Sequence, residues 1–138
     1  MQLRDIMTTD VQLTDPGMNL RAAAALMRDG DFGLLPVGEN DRLIGTISDR
    51  DIAVRAVAEG KDPSTTAVRE AMSDGIYYCF EDQTVDEAAV VMSRAQIRRL
   101  PVLNRDKRLV GIVALGDLAT ATGASESAVE ALSAVSQG

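Results

Sequence analysis

Histidine and tryptophan are absent from this 138-residue sequence, and cysteine occurs once, as Cys79. Without histidine the usual zinc sites and histidine-based triads are excluded, and a single cysteine cannot form a disulfide within the chain. Cys79 falls in "IYYCF", where a buried strand thiol is the expectation rather than a nucleophile. Aromatic residues are limited to Phe32, Tyr77, Tyr78 and Phe80, and the formal net charge is −7. Such a chain lacks the basic face and stacking rings of a nucleic-acid binder. No apolar run approaches the roughly 20 residues that cross a bilayer. The amino terminus "MQLRDIMTTD" has neither the basic start nor the apolar centre of a secretory signal. The expectation is a cytoplasmic protein with no nucleic-acid or membrane partner.

What the chain does contain is a repeat. "LRDIMT" at 3–8 matches "VREAMS" at 68–73, and "LRAAAALM" at 20–27 matches "VDEAAVVM" at 85–92. The hairpin sequences "LLPVGENDRLIGTISDRD" and "RLPVLNRDKRLVGIVALGD" follow in the same order. One constant offset aligns Met7 with Met72, Met27 with Met92 and Pro36 with Pro101. Inside the hairpin turn the offset grows by one residue, so Gly45 matches Gly111 and Asp51 matches Asp117. Turns tolerate such insertions. Two copies are too few for an open array, so the halves are expected to close on each other about a pseudo-twofold axis. The boundaries follow: repeat 1 at 1–59, a linker "GKDPSTTA" at 60–67, repeat 2 at 68–122, and a C-terminal helix or tail at 123–138.

Periodicity supplies the elements. Leu20, Ala23, Ala24 and Met27, like Val85, Ala88, Ala89 and Met92, have the spacing of one apolar helix face. Asn19 is placed to cap the first helix and Gly30 to close it, while Thr84 and Glu87 form a capping box on the second. Apolar runs around the turns "GENDR" and "NRDKR" predict a hairpin in each half. Helices are expected to begin near Ser48 and Leu115, with a short strand such as "IYYCF" ahead of the unit. A final helix is expected over 125–135, its apolar face formed by Ala128, Ala131, Leu132 and Val135.

Tandem "LPV", turn, "LIGTISDRD" and "RLPV", turn, "LVGIVALGD", each behind an "M(T/S)" segment and an alanine-rich helix, resemble a pair of cystathionine β-synthase (CBS) domains. The resemblance covers about residues 1–122. It implies an α/β (α+β) fold of two β-α-β-β-α repeats packed through their sheets, often dimerised. It further implies a regulatory module that binds AMP, ADP, ATP, NAD or S-adenosylmethionine in the cleft between repeats, with no cofactor required. The chain resembles the short stand-alone members of the hypoxic response type.

The family's nucleotide motif reads here as Gly45, Thr46, Ile47, Ser48, Asp49, Arg50, Asp51. Backbone N–H groups at the helix start, the Ser48 hydroxyl and the Arg50 guanidinium would serve a phosphate, and Asp51 would accept the two ribose hydroxyls. The competing account is plain capping, because Ser48 and Asp51 also have N-cap and N3 spacing. In the second half Ala114 and Gly116 replace the hydroxyl and the arginine, and only Asp117 remains as a ribose acceptor. Arg98 and Arg99 match positions that often touch phosphate in this family; as surface residues they could equally be solvated or salt-bridged. By family position, adenine falls near Asp10, Val11 and Phe32.

Three functions are weighed on this basis. The first is a non-catalytic, homodimeric regulatory module that reports an adenosyl ligand to a partner protein. The second is an interaction scaffold with an empty or vestigial cleft, which the altered second motif favours. The third is a magnesium-dependent phosphohydrolase using Asp49 and Asp51. The last is disfavoured because carboxylates two residues apart at a helix start diverge and no base, nucleophile or P-loop accompanies them.

Overall fold

In the computed structural model, which describes residues 1–11 and 13–121, the chain forms two compact units. One comprises residues 13–76. The other comprises residues 1–11 together with 77–121. The fold is mixed α+β, with one small sheet in each unit.

In the 13–76 unit, helix α1 spans Leu20–Gly30, and the Asn19 side chain accepts from the Ala22 N–H at 2.8 Å. This cap satisfies a backbone donor that the helix itself leaves without a partner. Leu20, Ala23 and Met27 form the buried stripe, whereas Ala24 is exposed. Gly30 does not supply the left-handed closing residue. That conformation falls on Asp31, at φ 56°. Gly30 is glycine for a different reason: a Cβ there would sit 2.0 Å from the Phe32 ring. Strands β1 (Leu34–Glu39) and β2 (Arg42–Ser48) pair antiparallel around Asn40 and Asp41, both at positive φ. Two consecutive left-handed residues of these types make the tight turn whose twist suits a hairpin. Helix α2 (Asp49–Ile52) continues as a π-helical turn over Ala53–Val57.

The other unit repeats this plan. A short β3 (Cys79–Phe80) runs parallel to β4 (Arg99–Leu103), which pairs antiparallel with β5 (Leu109–Ala114). Of the expected strand in "IYYCF" only these two residues pair. Thr14 makes the equivalent parallel bridge to Val37 in the first unit. Helix α3 covers Val85–Ala95 and ends on Gln96 at φ 55°, the counterpart of Asp31. Its Thr84–Glu87 capping box is present, with Glu87 N–H donating to Thr84 Oγ1 at 3.2 Å. Helix α4 covers Leu115–Thr120. Cys79 is buried, and burial, followed by the Glu87 charge, pushes its thiol from 9.0 up to about 11. The expected final helix at 125–135 lies outside the described residues.

The repeats in sequence and the units in space do not coincide. The 3₁₀ turn Leu3–Asp5 belongs to the unit of α3, and the turn Val68–Glu70 to the unit of α1. Leu3 is fully buried in the core with Val85, Met92, Leu100 and Val113. Val68 is buried with Leu20, Met27, Val37 and Ile47. Each burial contributes about 1.5–3 kcal/mol. The first block of each repeat is therefore exchanged onto the other repeat's helix and hairpin.

Candidate functional site

The exchanged segments run past the motif on each hairpin. In the 13–76 unit, Ser73 and Thr46 trade backbone hydrogen bonds at 2.8 and 2.9 Å. In the other unit Thr8 and Ile112 do the same, both at 2.9 Å. The motif glycines make this approach feasible. A Cβ on Gly45 would lie 2.6 Å from the Ser73 carbonyl oxygen, and one on Gly111 would lie 2.8 Å from that of Thr8. Contacts under 3 Å to backbone force the chains apart.

Beyond Gly45, β2 ends at Ser48 and turns into α2, with the Asp49 N–H donating to the Gly33 carbonyl at 2.9 Å. Ser48 Oγ accepts from the Asp51 N–H at 3.0 Å, and Asp51 Oδ2 accepts from the Ser48 N–H at 2.9 Å. The capping geometry expected from the spacing is thus formed. The second Asp51 oxygen, Oδ1, accepts from the Ser73 hydroxyl at 3.4 Å. Asp49 turns away: its Oδ1 accepts from the Arg50 N–H at 2.8 Å, and its carboxylate lies over Gly33. Arg50 is exposed. From the π-helical turn, Arg55 donates to the Met72 carbonyl at 3.0 Å and, at longer range, to that of Ala71 at 3.5 Å.

In the other unit Asp117 Oδ2 accepts from the Ala114 N–H at 2.9 Å, but Ala114 has no hydroxyl to return the bond. Arg99 pairs in register with Ala114 and is half-buried. Burial lowers its pKa, while the Asp117 carboxylate opposes that shift. Arg98 is exposed and its carbonyl accepts from the Leu115 N–H at 2.8 Å.

The sequence-predicted residues divide between the units. Phe32, Ser48, Arg50 and Asp51 fall in one, and Asp10, Val11, Arg98, Arg99 and Asp117 in the other. Asp10 and Val11 therefore belong to the unit of Asp117, not to that of Phe32. The segment accompanying Ser48 and Asp51 within their unit is Met72–Ser73. Sequence reading overlooked Ser73 and Arg55. Ser73 was visible as the repeat partner of Thr8, but Arg55 has no counterpart, since its aligned position is Ala121.

Two helix starts, each with an acidic N3 residue and each following a strand that an exchanged segment crosses at a glycine, define a tandem repeat module. The CBS domain model matches residues 3–57 and 68–123. The chain belongs to the CBS domain family and carries the domain as a pair. It is 41% identical over 134 residues to the CBS domain-containing protein YhcV of Bacillus subtilis, covering 97% of this chain and 94% of that one. It is 43% identical over 117 residues to Hypoxic response protein 1 of Mycobacterium tuberculosis, covering 84% and 81%.

Among solved structures, Hypoxic Response Protein I with two coordinated zinc ions superposes with a TM-score of 0.78 at 41% identity, covering 86% of this chain and 97% of that one. The CBS domain pair of protein MJ0100, in complex with 5-methylthioadenosine and S-adenosyl-L-methionine, gives 0.75 at 28%, covering 86% and 93%. CBSX2 in complex with AMP gives 0.72 at 25%, covering 85% and 92%.

Proposed function

We propose that this protein is a non-catalytic regulatory module that binds an adenosine-containing ligand at the Ser48–Asp51 helix start and transmits its state to a partner protein. The observation that carries the reading is the bonding of the Asp51 carboxylate. A carboxylate has about four acceptor positions. Capping uses one, toward the Ser48 N–H, and Ser73 uses another over a long 3.4 Å bond. The remainder suit the adjacent hydroxyls of a ribose. Capping and ligand binding thus draw on different lone pairs of one group. The adenosyl ligands of the MJ0100 pair and of CBSX2 support the same class of ligand.

Zinc, present in the hypoxic response structure, finds no fitting set of donors among the described residues. Histidine is absent and the single cysteine is buried. Among the described residues no group of three or more His, Cys, Asp or Glu side chains could hold a metal. No helix of the described residues is long and apolar enough to cross a membrane.

A scaffold with a vestigial site is the second reading, favoured by Ala114 at the serine position. Isothermal titration with AMP, ADP, ATP, NAD and S-adenosylmethionine separates the two. Asp51→Asn keeps an oxygen for the Ser48 cap but removes the charge. Wild-type binding that weakens about tenfold or more in this variant is the expected result. Wild-type protein that takes up none of the five ligands supports the scaffold.

A further inference from the structure

The Met72–Ser73 peptide is gripped at both ends. Its carbonyl oxygen accepts from Arg55 Nη1 at 3.0 Å, and its N–H, that of Ser73, donates to the Thr46 carbonyl at 2.8 Å. A peptide unit is planar, so bonds at its two ends hold the plane from which the Ser73 side chain leaves the backbone. That side chain donates to Asp51 Oδ1 at 3.4 Å. The bond is at the long limit, and a small shift of the peptide breaks it.

The crossing itself does not call for the arginine. In the other unit Thr8 and Ile112 exchange backbone hydrogen bonds at 2.9 Å with Ala121 at the place aligned to Arg55, and Ala121 already caps the end of α4. Arg55 stands instead in a π-helical turn, closed by the Ala58 N–H on the Ala53 carbonyl at 2.9 Å. Single turns of this kind are frequent at functional sites. Arg55 is exposed, so it gives up side-chain freedom to hold the Met72 carbonyl.

We propose, on the reading that Asp51 receives a ribose, that Arg55 and Ser73 are positioning residues for its carboxylate and set the preference of the site for ribose over deoxyribose. Oδ2 is tied to the Ser48 N–H and Oδ1 to the Ser73 hydroxyl, so the carboxylate is held at two points. Released at Oδ1, it still caps α2 but no longer presents fixed acceptors to two adjacent hydroxyls. Arg55 acts at one remove, by holding the peptide that carries Ser73.

The test titrates the whole protein with adenosine, the part common to AMP, ADP, ATP, NAD and S-adenosylmethionine, and with 2′-deoxyadenosine, followed by ¹H–¹⁵N NMR. Wild type should bind adenosine about tenfold more tightly, the worth of one hydroxyl on a carboxylate. Ser73→Ala and Arg55→Ala should each cut that preference to about threefold or less. A merely structural loss would weaken both nucleosides alike and leave the ratio unchanged. Ser73→Thr keeps the hydroxyl, in a residue that the matching crossing accommodates at Thr8, and Arg55→Lys keeps a donor; both should retain most of the preference. Amide exchange in the ligand-free protein is the second readout: Arg55→Ala should speed exchange at Ser73 severalfold and leave Thr8 unchanged. An unchanged preference in either alanine variant, or a Ser73 amide indifferent to Arg55→Ala, would overturn these roles while leaving the ribose reading intact. Wild type that takes up neither nucleoside would overturn the ribose reading, and the positioning roles with it.

Discussion

Set side by side, the two units share their backbone and differ in the side chains that act on it. Both have a glycine where the exchanged segment crosses, at Gly45 and Gly111, and both have an N3 aspartate bonded to the N-cap amide. Around that common frame one unit carries Ser48, Ser73 and Arg55, while the other carries Ala114, Thr8 and Ala121. What the halves hold in common is thus what the fold requires. The residues in which they differ are where function can diverge without loss of structure.

The largest effect is expected from attacking the shared part. Gly45→Ala places a Cβ 2.6 Å from a backbone oxygen that cannot swing aside, and should cost about 2–3 kcal/mol in urea unfolding. Gly111→Ala should cost a similar amount, because beside the movable Met7 sulfur at 2.7 Å the Thr8 backbone oxygen lies at 2.8 Å. A much smaller loss at Gly111 would mean that the Thr8 segment gives way where the Ser73 segment does not. Insensitivity at both sites would mean that the exchanged segments do not cross the hairpins against these glycines.

An exchange of caps sharpens the comparison at intermediate size. Ser48→Ala converts the first helix start into the second and should destabilise by about 1 kcal/mol. Ala114→Ser should do the reverse, stabilising by up to a similar amount if the new hydroxyl accepts from the Asp117 N–H. Denaturant midpoints of the two single variants would show whether the starts are interchangeable.

The smallest effect is a pH dependence seated in the 77–121 part. The side-chain bond from Arg105 holds Asp82 below the usual carboxylate range, and bonds from Gln83 and Thr84 lower Glu87. Groups lowered on folding contribute fully above their unfolded pKa values. That contribution is lost as acidification passes through the lowered folded values. Cys79 acts in the opposite direction: its raised value favours the fold below its ordinary 9.0 and is lost as pH rises toward 11. Asp82→Asn should flatten the acid limb of a Tm-against-pH curve slightly, as expected of an exposed pair, and leave the alkaline limb unchanged.

Much of this was legible in the sequence. Asn19 and Thr84 cap their helices as their spacing predicts, and both hairpins form around the polar turns. The exchange of segments was not legible, because periodicity tells which face of an element is apolar but not which copy of a repeated core that face meets. Leu3 and Val68 are nearly interchangeable apolar plugs, and only the folded chain assigns each to a core. The closing of α1 was misread for a related reason. Gly30 signals a helix end, but its missing side chain accommodates the Phe32 ring, and Asp31 takes the left-handed turn.

The crossed segments also impose an order of assembly. The Ser73–Thr46 bridge closes about 27 residues of chain and the Thr8–Ile112 bridge about 104, which adds about 1 kcal/mol of closure entropy to the second. The 13–76 unit can be completed once Ser73 has been synthesised. Residues 1–11, although made before the rest of the described chain, meet their first partners only at Glu81–Val85 and their last in β5. Residues 1–11 thus leave the ribosome ahead of residues 13–121 and are among the last of them to find their place.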